Sequence, residues 1–130
     1  MSSIHQEIEL PVSPDRVYAA LTQAAQFQTF TGGLPAELDA SSGGAFKLFG
    51  GQIVGRNVEC VAGQRLVQAW RPTMWPEGVY SLVRIELRAQ GKGTQLVLDH
   101  SSFPEEMKEH LSAGWTRMYW EPLKKHFAGS

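Results

Sequence analysis

The side chains in this sequence best suited to holding a ligand are aromatic rather than charged. Phe46, Phe49, Trp70, Trp75, Tyr80, Trp115 and Tyr119, with Met118 beside them, could line a pocket for an apolar or aromatic molecule, because small-molecule sites are mostly hydrophobic with a few polar anchors. The plainer alternative is that they fill a core, since aromatic rings bury large areas. Two polar residues stand where an anchor would be wanted. Gln68 alternates in register with Leu66 and Trp70, and Ser81 with Val83 and Ile85, so both are expected to face inward. Either could fix a ligand's polar group, or bond to backbone or water; left unpaired, such a group would cost about 1–3 kcal/mol. Arg71 falls on the opposite face by strict period. It is read as a surface ion-pair member unless the following loop turns it inward toward a carboxylate.

Other chemistries find little support. His5, His100, His110 and His126 show no ligand spacing, and a metal needs His, Cys or carboxylate ligands that converge. No metal and no cofactor are expected. Asp99 and His100 are neighbours on a strand and face opposite ways, so they do not form an acid–base pair. No Gly-x-Ser-x-Gly elbow occurs, and Cys60 ends a strand without a flanking His or Arg, which reads as a structural thiol. Gly43-Gly44, Gly50-Gly51 and Gly91-Lys92-Gly93-Thr94 precede no helix, so they are turns rather than phosphate cradles. Trp120 lies five residues after Trp115. On a regular helix it would project about 140° away, to rest on the sheet edge or the first helices, or to mark a dimer or partner contact.

These residues need elements to position them. Ile4, Ile8 and Leu10 alternate with His5, Glu7 and Glu9, the pattern of a strand with one solvated face. Ser13-Pro14-Asp15 opens a helix through a cap, a first-turn proline and an acid at the positive dipole end. A second short helix over 24–31 carries Phe27 and Phe30 and stops at Gly32-Gly33. From residue 44 the period becomes two. Five or six short strands follow, separated by glycine turns and by a longer loop holding Pro72, Trp75, Pro76 and Gly78. A final helix over 105–127, about 35 Å long, presents Leu111, Trp115, Met118, Tyr119 and Pro122 on one face, and Pro122 is expected to bend it. That helix must lie across the sheet to bury its apolar stripe.

Composition bounds the class. With 130 residues, 42% of them apolar and 19% charged, the chain is expected to fold as one domain over 1–130. A net charge of −1 argues against nucleic acid as a partner, because that binding needs a basic stripe to displace phosphate counterions. One cysteine excludes an internal disulfide and fits a reducing, cytoplasmic setting. Neither a signal peptide nor an apolar run long enough to span a membrane is evident.

The element order resembles the helix-grip fold of the START-related lipid-transfer and birch-pollen-allergen superfamily. It is more closely similar to the C-terminal domain of the activator of heat-shock-chaperone ATPase family. The resemblance rests on Gly44-x-Phe46, Phe49-Gly50-Gly51, Gly55, Gln68-Ala69-Trp70-Arg71 and Trp75-Pro76-x-Gly78, then on Gly114-Trp115, Tyr119 and Pro122-Leu123. It covers nearly the whole chain. It implies an α+β fold in which a curved antiparallel sheet of about six to seven strands grips a long C-terminal helix, with two short helices after the first strand. It further implies a cavity between sheet and helix where many of the aromatic side chains converge.

Three functions follow as expectations. The first is a small binding protein whose cavity holds an apolar or aromatic ligand. The second is a single-domain, co-chaperone-like interaction module whose partner is a chaperone of the stress response. The third is a cyclase- or aromatase-like enzyme, weakened by the lack of an evident inward acid or base. Both monomer and homodimer are compatible with the sequence.

Overall fold

The computed structural model describes residues 3–128. Strand β1 (Ser3–Leu10) buries Ile4 and Leu10 and exposes His5, Glu7 and Glu9, as the alternation requires. Ser13 then caps helix α1 (Pro14–Thr22), its hydroxyl accepting from the Arg16 N–H at 3.4 Å, with Pro14 and Asp15 in the first turn. Val17 and Leu21 face the core. Helix α2 (Ala24–Phe30) buries Phe27 and Phe30 and ends where Gly32 and Gly33 take φ of +92° and +93°.

Strands β2 (Glu37–Leu38), β3 (Ala45–Leu48), β4 (Ile53–Val61), β5 (Arg65–Pro72), β6 (Ser81–Gln90) and β7 (Gly93–Ser101) complete a seven-stranded antiparallel sheet in the order β1-β7-β6-β5-β4-β3-β2. The two-residue β2 is too short to show a period in the sequence. Gly55 faces Phe46 across β3 and β4, and a Cβ there would sit 1.9 Å from Ala69 O and 2.7 Å from the Phe46 ring. Only glycine lets that ring lie over the strand. At the Gly50-Gly51 turn, Phe49 joins the glycines in the left-handed region, with φ of +54°.

The terminal helix is built in four pieces. A 3-10 turn (Glu105–Met107) leads into α3 (Lys108–Gly114), then a π turn (Trp115–Trp120), then α4 (Glu121–Phe127). The π turn stands directly before Pro122, which has no N–H for the preceding turn and whose ring would crowd the carbonyl four residues back. There the Glu121 N–H reaches Thr116 O, five residues back. The expected distortion at the proline is thus taken up by widening one turn of the helix. Leu111, Trp115, Tyr119, Trp120, Leu123 and Phe127 are buried against the sheet and the two short helices.

Candidate functional site

Between the terminal helix and one end of the sheet lies a half-open cavity of about 320 Å³, within the range of small-molecule pockets. Gln52, Ile53, Trp70 and Pro72 form its sheet wall, and Thr73 and Met74 form one lip. Met107, Leu111, Gly114, Trp115, Met118 and Tyr119 supply the helix wall, Phe49 lies at the turn, and His110 and Arg117 stand at the mouth. The lining is largely apolar, so desolvation would carry most of any binding energy.

The π turn organises the helix wall. A turn closed five residues back places Trp120 nearly over Trp115 instead of about 140° away. The two indoles stack at 5.3 Å and 19°. Trp120 is 2% exposed, and its Nε1–H donates to Gln6 Oε1 at 2.6 Å. Its alternative as an exposed partner contact is therefore corrected: it is a core residue that ties the helix to β1. Gln6 completes that tie by donating from Nε2 to Ser112 O (3.1 Å) and Ser112 Oγ (3.0 Å).

Behind the cavity wall runs a chain of buried hydrogen bonds. Trp115 Nε1–H donates to His100 Nδ1 at 3.0 Å. Indole nitrogen is only a donor, so Nδ1 is the acceptor and the ring proton sits on Nε2. Nε2–H then reaches Ser81 Oγ at 2.8 Å, and the Ser81 hydroxyl donates to Trp70 O at 2.7 Å. The rings of Trp70 and Trp115 contact the imidazole at 5.0 and 5.7 Å, and Phe103 does so at 5.2 Å. His100 is fully buried, and burial pulls its pKa down to about 4, so the ring is neutral near pH 7. With both nitrogens committed and no place in the cavity lining, it is a structural histidine rather than a proton carrier. Asp99, on the opposite face, instead accepts from His5 Nδ1 at 2.7 Å.

Tyr119 OH and Trp70 Nε1 are sealed inside the wall with no hydrogen bond of good geometry, and Trp75 Nε1 is in the same state outside the cavity. Burial pushes the Tyr119 hydroxyl well above the usual phenol range, and a weak hydrogen-bonding contact from the neighbouring Trp70 indole N–H opposes the shift.

Of the cavity residues expected from the sequence, Phe49, Trp70, Trp115, Met118 and Tyr119 line the cavity. Phe46, Gln68, Trp75 and Ser81 are buried but do not line it. Gln68 faces inward as its register requires, yet its Nε2 is spent on Asn57 Oδ1 at 3.1 Å, and Asn57 Nδ2 in turn donates to Asp39 O at 2.7 Å. Asn57 turns in at a bulge of β4, an irregularity that a strict two-residue period does not show. Ser81 is taken by the histidine chain. Tyr80 lies just before β6 and is 49% exposed, under the Arg71 guanidinium at 5.7 Å. Among the described residues Arg71 meets no carboxylate: it donates to Val79 O (3.2 Å), Trp75 O (2.6 Å) and Pro76 O (3.2 Å), clamping the loop that carries Trp75. Leu111 and Gly114 share the helical stripe of Trp115 and Met118, so spacing alone could have marked them. Gln52, Thr73 and Met74 carry no such signal.

The same arrangement of sheet and helices is found in known proteins. Residues 11–128 match the family described as "Activator of Hsp90 ATPase homolog 1-like protein". The chain belongs to that family. It is 30% identical over 115 residues to the human activator of 90 kDa heat shock protein ATPase homolog 1, a match covering 88% of this chain and 34% of that protein. A Dictyostelium discoideum activator homologue is also 30% identical, over 94% of this chain and 32% of the relative. The chain therefore spans about a third of the length of these curated relatives. Among solved structures, an HSP90 activator from Plasmodium falciparum superposes with a TM-score of 0.92 at 28% identity, covering 97% of this chain and 96% of that one. Membership of the family and the helix-grip fold agree with the sequence reading. No helix among the described residues is long and apolar enough to cross a membrane.

Proposed function

We propose that this chain is a binding module that holds a small, mainly apolar molecule between its sheet and terminal helix. The observation that carries this reading is the half-open cavity of about 320 Å³ whose walls are built from Phe49, Trp70, Trp115 and Tyr119. Native mass spectrometry of the purified protein, repeated after denaturation and extraction, tests it. A retained small molecule, released on unfolding, is expected. Trp70→Leu or Trp115→Leu should weaken its retention, and unchanged retention in a folded variant would overturn the pocket assignment.

A second reading is favoured by a different observation. The region shared with activators of the heat-shock-chaperone ATPase covers almost the whole of this chain. On that reading the domain is a co-chaperone-like module working in the cytoplasm on a chaperone ATPase. The purified protein should then change the ATPase rate of the chaperone from its own cell, and no change at saturating protein would end this reading. The native mass spectrum also distinguishes monomer from homodimer.

A further inference from the structure

We infer that the molecule held in the cavity is an amphipathic acid, its apolar body seated between sheet and helix and its carboxylate paired with Arg117 at the mouth. The inference rests on the binding reading above and names the chemical class of its ligand. Arg117 lines the cavity from the π turn, two residues after Trp115, and is exposed to solvent. Among the described residues it is the one arginine without a partner. Arg16 lies over the Phe127 ring, Arg56 donates to Gly43 O, and Arg71 donates to loop carbonyls. Arg65 meets Glu59, and Arg84 and Arg88 meet Glu86. The fold thus uses every other guanidinium and leaves free the one that stands at the cavity mouth.

The rest of the lining agrees in sign. No Asp or Glu lines the cavity, and the polar side chains that do, Gln52, Thr73, His110 and Arg117, can all donate. His110 lies seven residues before Arg117, about 10 Å along the helix. Glu121, one turn beyond Arg117, lines the neighbouring hollow and not this cavity. An anion at the mouth therefore meets a cation with no carboxylate of the wall competing for it. Its charge belongs at the mouth and not deeper, because the inner wall of Phe49, Trp70, Leu111 and Trp115 would strip its hydration without replacing it. At the mouth it keeps part of that hydration and takes the planar, two-donor fork of a guanidinium, which matches a carboxylate better than a point charge does. Met74 and Met118, 77% and 37% exposed, line the same opening, where flexible thioethers can settle against apolar bodies of differing shape.

Three probes sharing one apolar body test this: naphthaleneacetate, naphthaleneacetamide and naphthylethylamine, which are anionic, neutral and cationic at pH 7. Affinities are read by calorimetry, and the indole N–H resonances of Trp70 and Trp115 by nitrogen-edited NMR. The acetate is expected to bind about five- to tenfold tighter than the amide, the gain of one charge-assisted pair moderated by its exposure to water. The amine should bind weakest. Salt near 1 M, where screening acts within about 3 Å, should shrink the acetate's advantage, and Arg117→Gln should bring the ratio of acetate to amide to about one. All three probes should move the two indole resonances, which places the naphthyl body against the wall. Equal binding of acetate and amide, or a preference that survives in Arg117→Gln, overturns the acid pairing while leaving the cavity reading intact. An amine that binds tightest overturns the sign of the charge. Binding that moves neither resonance, or binding of none of the three, overturns both this inference and the reading beneath it.

Discussion

Acidification should loosen this fold through one residue, His100. The imidazole is fully buried among Trp70, Phe103 and Trp115, and burial pulls its pKa from 6.5 to about 4. Because the folded value lies below the unfolded one, the fold favours the neutral ring. The associated stability is whole above pH 6.5, declines as pH falls toward 4, and is constant below that. The full effect is about 3 kcal/mol, from roughly 1.4 kcal/mol for each tenfold change in proton affinity. Between pH 7 and pH 5 the same arithmetic gives about 2 kcal/mol. His5 works in the opposite sense: its pKa is raised by the Asp99 and then the Glu7 hydrogen bonds, so its pairing is complete below 6.5 and fades as pH climbs through the raised value. Urea unfolding of the natural protein and of His100→Gln at pH 7 and pH 5 separates the two, because only the His100 contribution is lost in the variant. Glutamine can still accept from Trp115 and donate to Ser81. The natural protein should lose about 2 kcal/mol more than the variant over that range. Parallel losses would refute the reasoning. Should the variant not fold, direct NMR titration of the His100 ring decides the same question, since a ring titrating near 6.5 contradicts the burial argument.

Other expectations concern the walls and ties of the site. Gly114 lies mid-helix, lines the cavity, and has open space where a Cβ would stand; Gly114→Ala should raise stability by about 0.5–1 kcal/mol in a thermal melt, whereas Gly114→Leu should fill the cavity and abolish probe binding. Arg71→Ala removes three charged donations to loop carbonyls and should cost about 2 kcal/mol, with protease cleavage newly appearing within residues 73–79. Gln6→Leu strands Trp120 Nε1 and should cost about 1–3 kcal/mol. Adding Trp120→Phe should recover part of that loss, and strictly additive losses in a double-mutant cycle would show that the tie between β1 and the helix is not a coupled pair.

Periodicity and caps made most of the fold legible. The alternation in β1, β5 and β6 and the Ser13-Pro14-Asp15 helix start reappear as read, and of the helical stripe Leu111, Trp115 and Tyr119 are buried while Met118 is exposed. What escaped are features that break a period. A regular helical step points Trp120 away from the core stripe, and a single π turn before Pro122 rotates it into the core. Asn57 turns in at a bulge, and so absorbs the Gln68 amide that could otherwise have met a ligand. That Asp99 and His100 face opposite ways was legible, but the role of His100 depends on Ser81 and Trp115, which only the sheet register and the helix position bring within reach. Backbone irregularities decide which inward polar groups are consumed by the fold, and hence which remain for a ligand.

Three local costs gather around the same small volume. Phe49 holds a bulky side chain at φ of +54°, a region that costs a non-glycine residue roughly 1–3 kcal/mol. Gly114 gives up about 1 kcal/mol of helix propensity with no neighbour that forbids an alanine. Trp70 Nε1 and Tyr119 OH are buried with no hydrogen bond of good geometry, a shortfall of about 1–3 kcal/mol. Total stabilities of domains this size run to about 5–15 kcal/mol, so these costs together are a large fraction of what holds a domain folded. Two are removable by single conservative changes, Gly114→Ala and Tyr119→Phe. A chain selected only to fill its core would have no reason to keep them, nor to keep them together. On the binding reading proposed above, their coincidence on one cavity is what a site that trades stability for occupancy should look like.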